Sequence, residues 1–333
     1  MKPNRMVRFA CATFMLLVWI SSMRAQSNAP LRLEGTISLP GVKGRIDHLA
    51  FDAGDQRLFV AALGNNTIEV IDIKSGKVVR EIGGLAEPQG VIYEPEKKRL
   101  WVANGNDGKV RIFDGQTFQP VKSIDLGDDA DNIRRDSTAQ RIFVGYGNGG
   151  IAVFDLEGNK VADVKLDAHP ESFQLEKNGS RLFVNLPNSR KVAVIDRTKS
   201  AVAASWTTDD AQANFPMALD EANGRLFIVC RIPAELLVLD SKSGAVVAKL
   251  STVGDSDDVF YDQKRKRIYA TGGEGAITVY QQHDADHYSK MAQLETVKGA
   301  RTGLFVPELG RLFLAVRQQG ANPAAIWVYG VTD

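Results

Sequence analysis

The chain has 333 residues, of which 44% are hydrophobic and 24% charged, so it can bury a large core and does not have a disordered composition. Its 41 basic and 40 acidic residues nearly balance, which excludes the strongly basic surface of a non-specific nucleic-acid binder. Two cysteines, Cys11 and Cys230, are too few for a disulfide-rich scaffold.

The first 25 residues predict a secretory signal peptide. Three basic residues precede an apolar run from 9 to 20 that is too short to span a membrane, and small residues lead to a cleavage position after Ala25. Cleavage removes four basic residues and leaves 37 basic against 40 acidic ones. We therefore expect a periplasmic or secreted protein with no nucleic-acid partner and no membrane span after cleavage; the alternative is an uncleaved N-terminal anchor.

From residue 57 onward, an arginine followed by a short apolar run recurs seven times. The steps between these arginines are 42, 42, 40, 44, 42 and 44 residues. A period near 42 is the length of one four-stranded propeller blade. We therefore predict an all-β, seven-bladed β-propeller as a single domain over residues 26–333. The seven repeat arginines are Arg57, Arg99, Arg141, Arg181, Arg225, Arg267 and Arg311.

Each repeat predicts four strands in the same order. In the first repeat they are 49–51, 57–60, 67–72 and 78–82, separated by turns rich in Gly, Asn, Asp and Ser. The seventh copy ends at Tyr329 without a fourth strand, and a strand-like segment at 33–39 precedes the first copy. We expect this N-terminal strand to complete the last blade and close the ring, which protects the sheet edges.

The repeat resembles the YVTN family of bacterial seven-bladed propellers. The resemblance rests on the Arg-Leu-Phe-Val strand, the Asn/Gly turn, the Val-x-Val-Ile-Asp strand and the Ser-Gly-Lys-Val-Val turn, and it covers about residues 31–333. The literal Tyr-Val-Thr-Asn string is absent, and Trp101-Val102-Ala103-Asn104 is the nearest match. The resemblance implies an exported binding or surface protein, and it supplies no catalytic residue.

The segments that lead into the first strand of each repeat carry most of the polar candidates for a site. Counting nine residues back from the repeat arginines gives His48, Asn132 and Asp258 among others, and an assumed extra turn residue assigns Glu171 in the fourth repeat. Equivalent positions on seven blades converge on one axis, so we expect these side chains around one channel mouth. The candidate ligand-binding residues are Arg45, Asp47, His48, Gln89, Asp131, Asn132, His169, Glu171, Asn214, Arg231, Asp257, Asp258 and Arg301.

Three interpretations of this cluster stay open. His48, Asn132, Glu171 and Asp258 could bind a divalent metal, the only cofactor that the sequence suggests. The cluster could instead bind a small polar molecule, with Arg45, Arg231 and Arg301 holding an anionic group. In the third interpretation these residues only cap strands and join neighbouring blades.

Two other features stand apart from the mouth. The segment His283-Asp284-Ala285-Asp286-His287 contains metal-ligand types, but it falls in the turn between the third and fourth strands of its repeat, so we expect a solvated loop. Cys230 follows an apolar strand and is expected to be a buried structural thiol.

The favoured function is a monomeric binding scaffold for a small polar molecule or a protein partner. The alternative is a metal-dependent enzyme of the lactonase or lyase type, with Asp131 or Asp257 as general base. A purely structural surface protein is the third hypothesis.

Overall fold

Seven antiparallel sheets make up the described part of the chain. The computed structural model describes residues 29–333, so the predicted signal peptide and its cleavage position lie outside the described residues. Each sheet has four strands, and the sheets follow one another around a ring. The prediction of an all-β, seven-bladed propeller is confirmed.

The strands run from the channel outward in each blade. Blade 1 contains β2 (Leu49–Asp52), β3 (Arg57–Ala62), β4 (Thr67–Asp72) and β5 (Lys77–Ile82). Blade 2 contains β6 (Pro88–Glu94), β7 (Arg99–Asn104), β8 (Lys109–Asp114) and β9 (Pro120–Asp125). Blade 3 contains β10 (Ala130–Asp136), β11 (Arg141–Tyr146), β12 (Gly150–Phe154) and β13 (Lys160–Lys165). Blade 4 contains β14 (Phe173–Leu175), β15 (Arg181–Leu186), β16 (Lys191–Asp196) and β17 (Ala201–Thr207).

The remaining blades follow the same plan. Blade 5 contains β18 (Gln212–Asp220), β19 (Arg225–Ile232), β20 (Ala234–Asp240) and β21 (Val246–Ser251). Blade 6 contains β22 (Ser256–Asp262), β23 (Arg267–Gly272), β24 (Ala276–Gln282) and β25 (Tyr288–Glu295). Blade 7 contains β26 (Gly303–Val306), β27 (Arg311–Val316), β28 (Ala324–Val331) and β1 (Leu31–Leu39). Short 3-10 turns occupy Leu63–Asn65 and Pro187–Ser189.

The two ends of the described chain close the ring in one sheet. β1 pairs antiparallel with β28, from Leu31 opposite Val331 to Leu39 opposite Ala324. The predicted closure is therefore confirmed, and the strand begins at Leu31, two residues earlier than expected. The first strands also contact one another around the whole ring, because β2 touches both β6 and β26.

The apolar repeats form the core between blades. The second strands are buried almost throughout, and their aromatic residues pack across blade interfaces, as Trp101 does against Phe154 at 6.1 Å between ring centroids. Because neighbouring sheets bury both faces, each blade depends on the next for its core. No helix among residues 29–333 has the length and apolar character needed to cross a membrane.

An aspartate at the end of the third strand holds a turn in five of the seven blades. Asp114, for example, accepts the backbone N–H groups of Thr117 and Gln116 at 2.8 and 3.0 Å. These hydrogen bonds lower the pKa of Asp114 to about 2. The same turn recurs after Asp72, Asp155, Asp196 and Asp240. These carboxylates therefore belong to the scaffold.

Candidate functional site

The side chains at the channel mouth form two stacked rings. We define the upper ring as the residues ten positions before the repeat arginines: Asp47, Gln89, Asp131, Glu171, Phe215, Asp257 and Arg301. We define the lower ring as the residues nine positions before them: His48, Gly90, Asn132, Ser172, Pro216, Asp258 and Thr302. The sequence therefore places charge on nearly every blade in the upper ring and on few blades in the lower ring.

Backbone hydrogen bonds correct the predicted register of Glu171. Ala61 N–H donates to His48 O at 3.0 Å, and Asn185 N–H donates to Ser172 O at 3.0 Å. Ala61 and Asn185 both lie four residues after their repeat arginine, so Ser172 occupies the position of His48. Glu171 therefore belongs to the upper ring. The assumed extra turn residue was wrong, because Glu176 N–H donates to the Arg181 carbonyl five residues on, which is the spacing at which Asp52 pairs with Arg57 in blade 1.

Strand irregularities bring residues of both rings to the channel. The pairing of the first strand shifts register at this level in blades 2, 3, 5 and 6, as between Ser256 and Asp258. A bulge bends its strand and redirects side chains, so consecutive residues can face the same space. Asp131 and Asn132 accordingly both line the narrow part of the channel.

The upper ring surrounds an upper cavity of about 450 Å³. Five carboxylates and three guanidinium groups line it, together with the amides of Gln89, Asn148 and Asn188. Such a lining suits a polar ligand and disfavours an apolar one.

One side of the upper cavity holds a compact group of metal-ligand types. Atoms of Asp131, His169 and Glu171 lie within 4.8 Å of one another. His169 Nε2 is 3.8 Å from Asp131 Oδ2, and its Nδ1 is 2.6 Å from the Gly147 carbonyl oxygen. Two carboxylates with one imidazole form a donor set that Zn²⁺ and Mn²⁺ accept.

Charge within this group is unbalanced. Burial, reinforced by the Asp131 carboxylate, raises the pKa of Glu171 to about 8. Against the opposing effect of burial, Asp131 raises the pKa of His169 to about 9. Among residues 29–333, the only cation within 4.0 Å of the Asp131 or Glu171 carboxylate is His169. Protonated His169 is therefore the positive charge that faces these two carboxylates, and a bound cation would take the place of its proton.

The other side of the upper cavity contains the predicted arginines, and each is already paired. Arg45 Nη2 lies 2.7 Å from Asp47 Oδ2, and Arg301 Nη1 lies 2.8 Å from Asp255 Oδ1. Arg231 pairs with Asp257. The Arg231 guanidinium also stacks on the Phe215 ring, 3.7 Å from its centroid. The expectation that these arginines are free to hold an anion is therefore not supported.

A narrow neck of about 20 Å³ separates the upper cavity from a lower cavity of about 340 Å³. His48, Asn132 and Glu171 line the neck, whereas Asp258 lines the lower cavity. The four residues predicted as one metal set therefore lie at two levels. The Asn132 side-chain oxygen is buried and has no hydrogen-bond partner in the described structure.

His48 and Asp258 form a pair below the neck. His48 Nδ1 is 3.7 Å from Asp258 Oδ1, and Gly303 N–H donates to Asp258 Oδ2 at 2.8 Å. Burial raises the pKa of Asp258 to about 7 even though His48 opposes the change. Against burial, Asp258 and Asp47 raise the pKa of His48. Each member of the pair therefore favours the charged form of the other, and burial opposes both.

Two of the predicted ligand-binding residues serve the scaffold. Asn214 is fully buried and donates to Asn185 Oδ1 and to the Lys191 carbonyl, both at 2.9 Å, so it lies outside the cavity. Gln89 lines the cavity but donates its amide to Asp129 Oδ1 at 2.9 Å, which links blades 2 and 3. The prediction for Asn214 was wrong because sequence position does not tell which way a side chain leaves a bulged strand.

The two features outside the mouth match their expected roles. In the 283–287 turn, His287 Nδ1 contacts Asp284 at 2.8 Å with both side chains largely exposed, and Asp286 pairs with Arg225. Cys230 is completely buried, and burial raises the pKa of its thiol to about 12. Both therefore act in the scaffold.

Sequence reasoning missed several residues around the channel, and three of them bear on the two cavities. Phe215 and Asp129 line the upper cavity, and Arg134 lines the lower one. Counting ten rather than nine residues back from the repeat arginine would have found Phe215. Counting seven back would have found Arg134.

Comparisons with known proteins give one partial family match and several relatives of low sequence identity. A family model described as Arylesterase matches residues 58–165, which run from the second strand of blade 1 to the last strand of blade 3. The chain is 21% identical to the uncharacterized protein YncE of Salmonella typhimurium over 239 residues, covering 66% of this chain and 67% of that protein. It is 23% identical to Antigen Lp49 of Leptospira interrogans over 240 residues, covering 64% of this chain and 51% of that protein.

Solved structures share the fold at low sequence identity. The chain is similar to a chain of Kuenenia stuttgartiensis hydrazine synthase with a TM-score of 0.73 and 17% identity, covering 88% of this chain and 98% of that one. It is also similar to a chain of the mitotic checkpoint complex with a TM-score of 0.75 and 14% identity, covering 90% and 92%. At these identities the likeness concerns the propeller alone, so function must come from the site.

Proposed function

We propose that this protein is an exported, YVTN-like propeller whose upper cavity binds a divalent cation together with a small polar molecule. The observation that carries the proposal is the group formed by Asp131, His169 and Glu171, whose ligand atoms lie within 4.8 Å of one another beside a cavity of about 450 Å³. The unbalanced carboxylates supply the attraction for a cation, and the surrounding cavity leaves room for a ligand next to it.

The lining of the cavity narrows the class of ligand. Five carboxylates face three guanidinium groups, and the three arginines are already paired with aspartates. An anionic ligand would have to displace those aspartates. A neutral molecule rich in hydroxyl or amide groups, or a cationic one, instead finds free acceptors and the side-chain amides of Asn148 and Asn188.

Cation titration of the purified mature protein tests this proposal. We expect EDTA-treated protein to bind one Mn²⁺ or Zn²⁺ in isothermal titration calorimetry, with affinity rising from pH 6.5 to pH 9 because His169 must lose its proton to act as a ligand. Glu171→Gln should weaken binding at least about tenfold, because it removes one of the three ligands.

The exposed 283–287 turn provides a matched control. His287→Ala removes a histidine that lies beside an aspartate outside the cavity, so it should leave cation affinity unchanged. Absence of binding to the wild type, or equal binding by the Glu171→Gln variant, would contradict the proposal.

A second candidate function is metal-dependent ester hydrolysis, which the Arylesterase match over residues 58–165 favours. That match includes Asp131 but ends before His169 and Glu171. A divalent cation there would polarise an ester carbonyl. Asp129, whose Oδ2 is 3.7 Å from His169 Nδ1, would be the residue placed to accept a proton, and burial raises its pKa.

Phenyl acetate hydrolysis tests the second candidate. We expect Mn²⁺- or Zn²⁺-loaded wild type to hydrolyse it and both EDTA treatment and Asp129→Asn to abolish the rate while leaving the fold intact. Cation binding without any hydrolysis would reject the enzyme and leave the binding function standing.

Export and monomeric state are part of the same proposal. The basic, apolar and small-residue regions of residues 1–25 support export. N-terminal sequencing of the protein from a periplasmic fraction should begin near Gln26, and light scattering should give the mass of one chain. An uncleaved N-terminus in the membrane fraction would contradict export.

A further inference from the structure

Below the neck, a third ring of equivalent residues lines the channel. In its sheet, each of these residues lies opposite the aromatic residue at the third position of the Arg-Leu-Phe-Val strand. The seven residues therefore occupy structurally equivalent positions in the seven blades. The ring consists of Ala50, Ile92, Arg134, Gln174, Ala218, Phe260 and Leu304. Five of the seven positions are apolar, and Arg134 is the only charged one.

Arg134 differs from Arg45, Arg231 and Arg301 of the upper cavity because it has no counterion within residues 29–333. Among residues 29–333, no carboxylate lies within 4.0 Å of its guanidinium, whereas Arg135 beside it pairs with Glu94 and Glu96. Its Nη1 donates to the Ile133 carbonyl at 2.9 Å, and its guanidinium lies 5.6 Å from the Phe173 ring centroid. The remaining N–H donors have no partner in the described structure, and burial lowers the pKa of the group.

The nearby acid does not serve as the missing partner. Asp258 is already engaged, because its Oδ2 accepts from Gly303 N–H at 2.8 Å and its Oδ1 lies 3.7 Å from His48 Nδ1. A guanidinium that is partly withdrawn from solvent and has no counterion is less stable than a paired one. Arg134 is nevertheless present in the third ring, whose other six side chains are apolar or neutral.

The space in front of Arg134 has the size and lining of a ligand site. The lower cavity is about 340 Å³ in volume, and Phe51, Ile92 and Phe260 form part of its wall. These three side chains are only partly buried, so solvent reaches the cavity. The Arg134 guanidinium beside this apolar wall is complementary to an organic anion that carries its charge at one end, while Arg135, His48 and Asp258, which also line the cavity, are paired with other groups.

We infer that the lower cavity is a second ligand site, separate from the upper cavity, which binds a small organic carboxylate with an apolar body. Arg134 holds the carboxylate through two parallel N–H···O hydrogen bonds, and the third-ring side chains cover the apolar body. This site does not depend on the proposed cation site, because the neck of about 20 Å³ separates the two cavities.

Benzoate and its neutral analogue benzyl alcohol are suitable probes. We expect calorimetry to show one benzoate per chain and much weaker binding of benzyl alcohol. Arg134→Gln should weaken benzoate binding at least about tenfold, which corresponds to about 1.4 kcal/mol. Phe260→Ala should weaken the binding of benzoate more than the binding of acetate, because it removes part of the apolar wall and leaves the Arg134 guanidinium in place.

Arg301→Gln is the matched control, since it removes an arginine from the upper cavity and leaves the lower one unchanged. Unchanged benzoate affinity in this variant supports the proposal that benzoate binds in the lower cavity. Benzoate binding that is lost in Arg301→Gln and kept in Arg134→Gln would overturn it, as would no detectable binding to the wild type. Because neither variant touches Asp131, His169 or Glu171, failure here leaves the cation proposal untouched.

Thermal unfolding supplies an independent readout. Without benzoate, Arg134→Gln should unfold at a higher temperature than the wild type, because it removes a partly buried charge that has no counterion among residues 29–333. With benzoate, the wild type should gain thermal stability and the variant should not. A lower unfolding temperature for Arg134→Gln together with unchanged protection by benzoate would mean that Arg134 is structural and would overturn the inference. Arg134→Lys, which keeps the charge without the two-pronged geometry, provides the second variant and should bind benzoate with intermediate affinity.

Discussion

The side chain of Glu171 lowers the stability of the folded protein. Its carboxylate is largely removed from solvent, lies beside Asp131 and accepts no hydrogen bond within the described chain. Water can solvate the same carboxylate fully in the unfolded state, so folding either desolvates a charge or protonates it. Retention of such a group is typical of a binding site and costs stability.

The first prediction concerns the substitution Glu171→Gln in cation-free protein. The folded-state pKa of about 8 lies above the ordinary 4.5, so the stability penalty from Glu171 grows as pH rises from 4.5 to 8. The amide has no charge to desolvate, so the variant should gain about 1–3 kcal/mol in unfolding free energy at pH 8 and less than about 1 kcal/mol at pH 5. Urea denaturation at the two pH values measures this.

A matched control for that measurement is Glu81→Gln. Glu81 is an exposed carboxylate on an outer strand, so its substitution should change stability by less than about 0.5 kcal/mol at either pH. An equal gain in unfolding free energy for both variants would mean that the change in net charge, rather than the burial of Glu171, causes the stabilisation.

The second prediction concerns Cys230. Its thiol is completely buried and burial raises its pKa to about 12, so the thiolate that reacts with alkylating agents is scarce in the folded state. We expect the native mature protein to resist iodoacetamide at pH 8 for hours and to react within minutes in 8 M urea. Mass spectrometry of the alkylated protein distinguishes the two outcomes, and rapid native labelling would refute the structural assignment.

At the scale of the element, the closing strand β1 joins the two ends of the described chain. Its inner face contributes Leu31 and Leu39 to the core, while the side chain of Leu33 is exposed. The Glu34–Arg311 ion pair, at 2.9 Å, lies on the exposed side of β1 and adds little to the stability of the closed ring. Apolar burial and backbone pairing therefore hold the ring closed.

The third prediction compares two leucines of β1. Leu31 is 1% exposed, so Leu31→Ala should lower the unfolding free energy by about 2–4 kcal/mol through lost burial and a residual cavity. Leu33 is 45% exposed, so Leu33→Ala should cost less than about 0.5 kcal/mol. Chemical denaturation of both variants tests this, and similar costs would show that β1 does not close the seventh blade as described.

The fourth prediction concerns the contact between β6 and β10. A Cβ on Gly90 would lie 2.0 Å from the Asp131 carbonyl oxygen, whereas Gly83 has open space around it. Gly90→Ala should therefore force blades 2 and 3 apart and cost about 1–3 kcal/mol, and Gly83→Ala should be nearly neutral. Because the displaced backbone belongs to Asp131, Gly90→Ala should also weaken cation binding, which calorimetry would detect.

At the scale of the whole molecule, several buried groups share one pH response. The pKa values of Asp258, Glu171 and His169 are raised to about 7, 8 and 9. Raised values mean that the folded state binds more protons than the unfolded state over this range, so stability falls as pH rises. The turn aspartates act in the opposite sense, but they titrate well below pH 5.

The fifth prediction follows from this shared response. The unfolding temperature of the cation-free protein should fall continuously from pH 5.5 to pH 9. Saturating Mn²⁺ or Zn²⁺ should reduce the fall, because a bound cation favours the deprotonated forms of Glu171 and His169. Differential scanning calorimetry with and without the cation measures both curves. An unfolding temperature that rises with pH in the absence of cation would contradict the assigned protonation states.

Sequence alone determined the architecture of this protein. The arginine period predicts seven blades and the missing strand at Tyr329 predicts closure by the N-terminus, because strand patterning and blade length are local properties that repeat along the chain. The turn aspartates were predictable for the same reason. The sequence also predicted that His48, Glu171 and their neighbours surround the channel, since equivalent positions in a ring share an axis.

The contacts and side-chain directions of those residues are visible only in the folded structure. Ser172 rather than Glu171 matches His48, and Asn214 turns away from the cavity, because bulges set side-chain direction in ways that spacing does not encode. The pairing of Arg231 and Arg301 with aspartates of a neighbouring blade depends on contacts between residues far apart in the chain, and so does the absence of a counterion for Arg134 among residues 29–333. Long-range distances of this kind determine charge balance, and charge balance determines which ligands each cavity can bind.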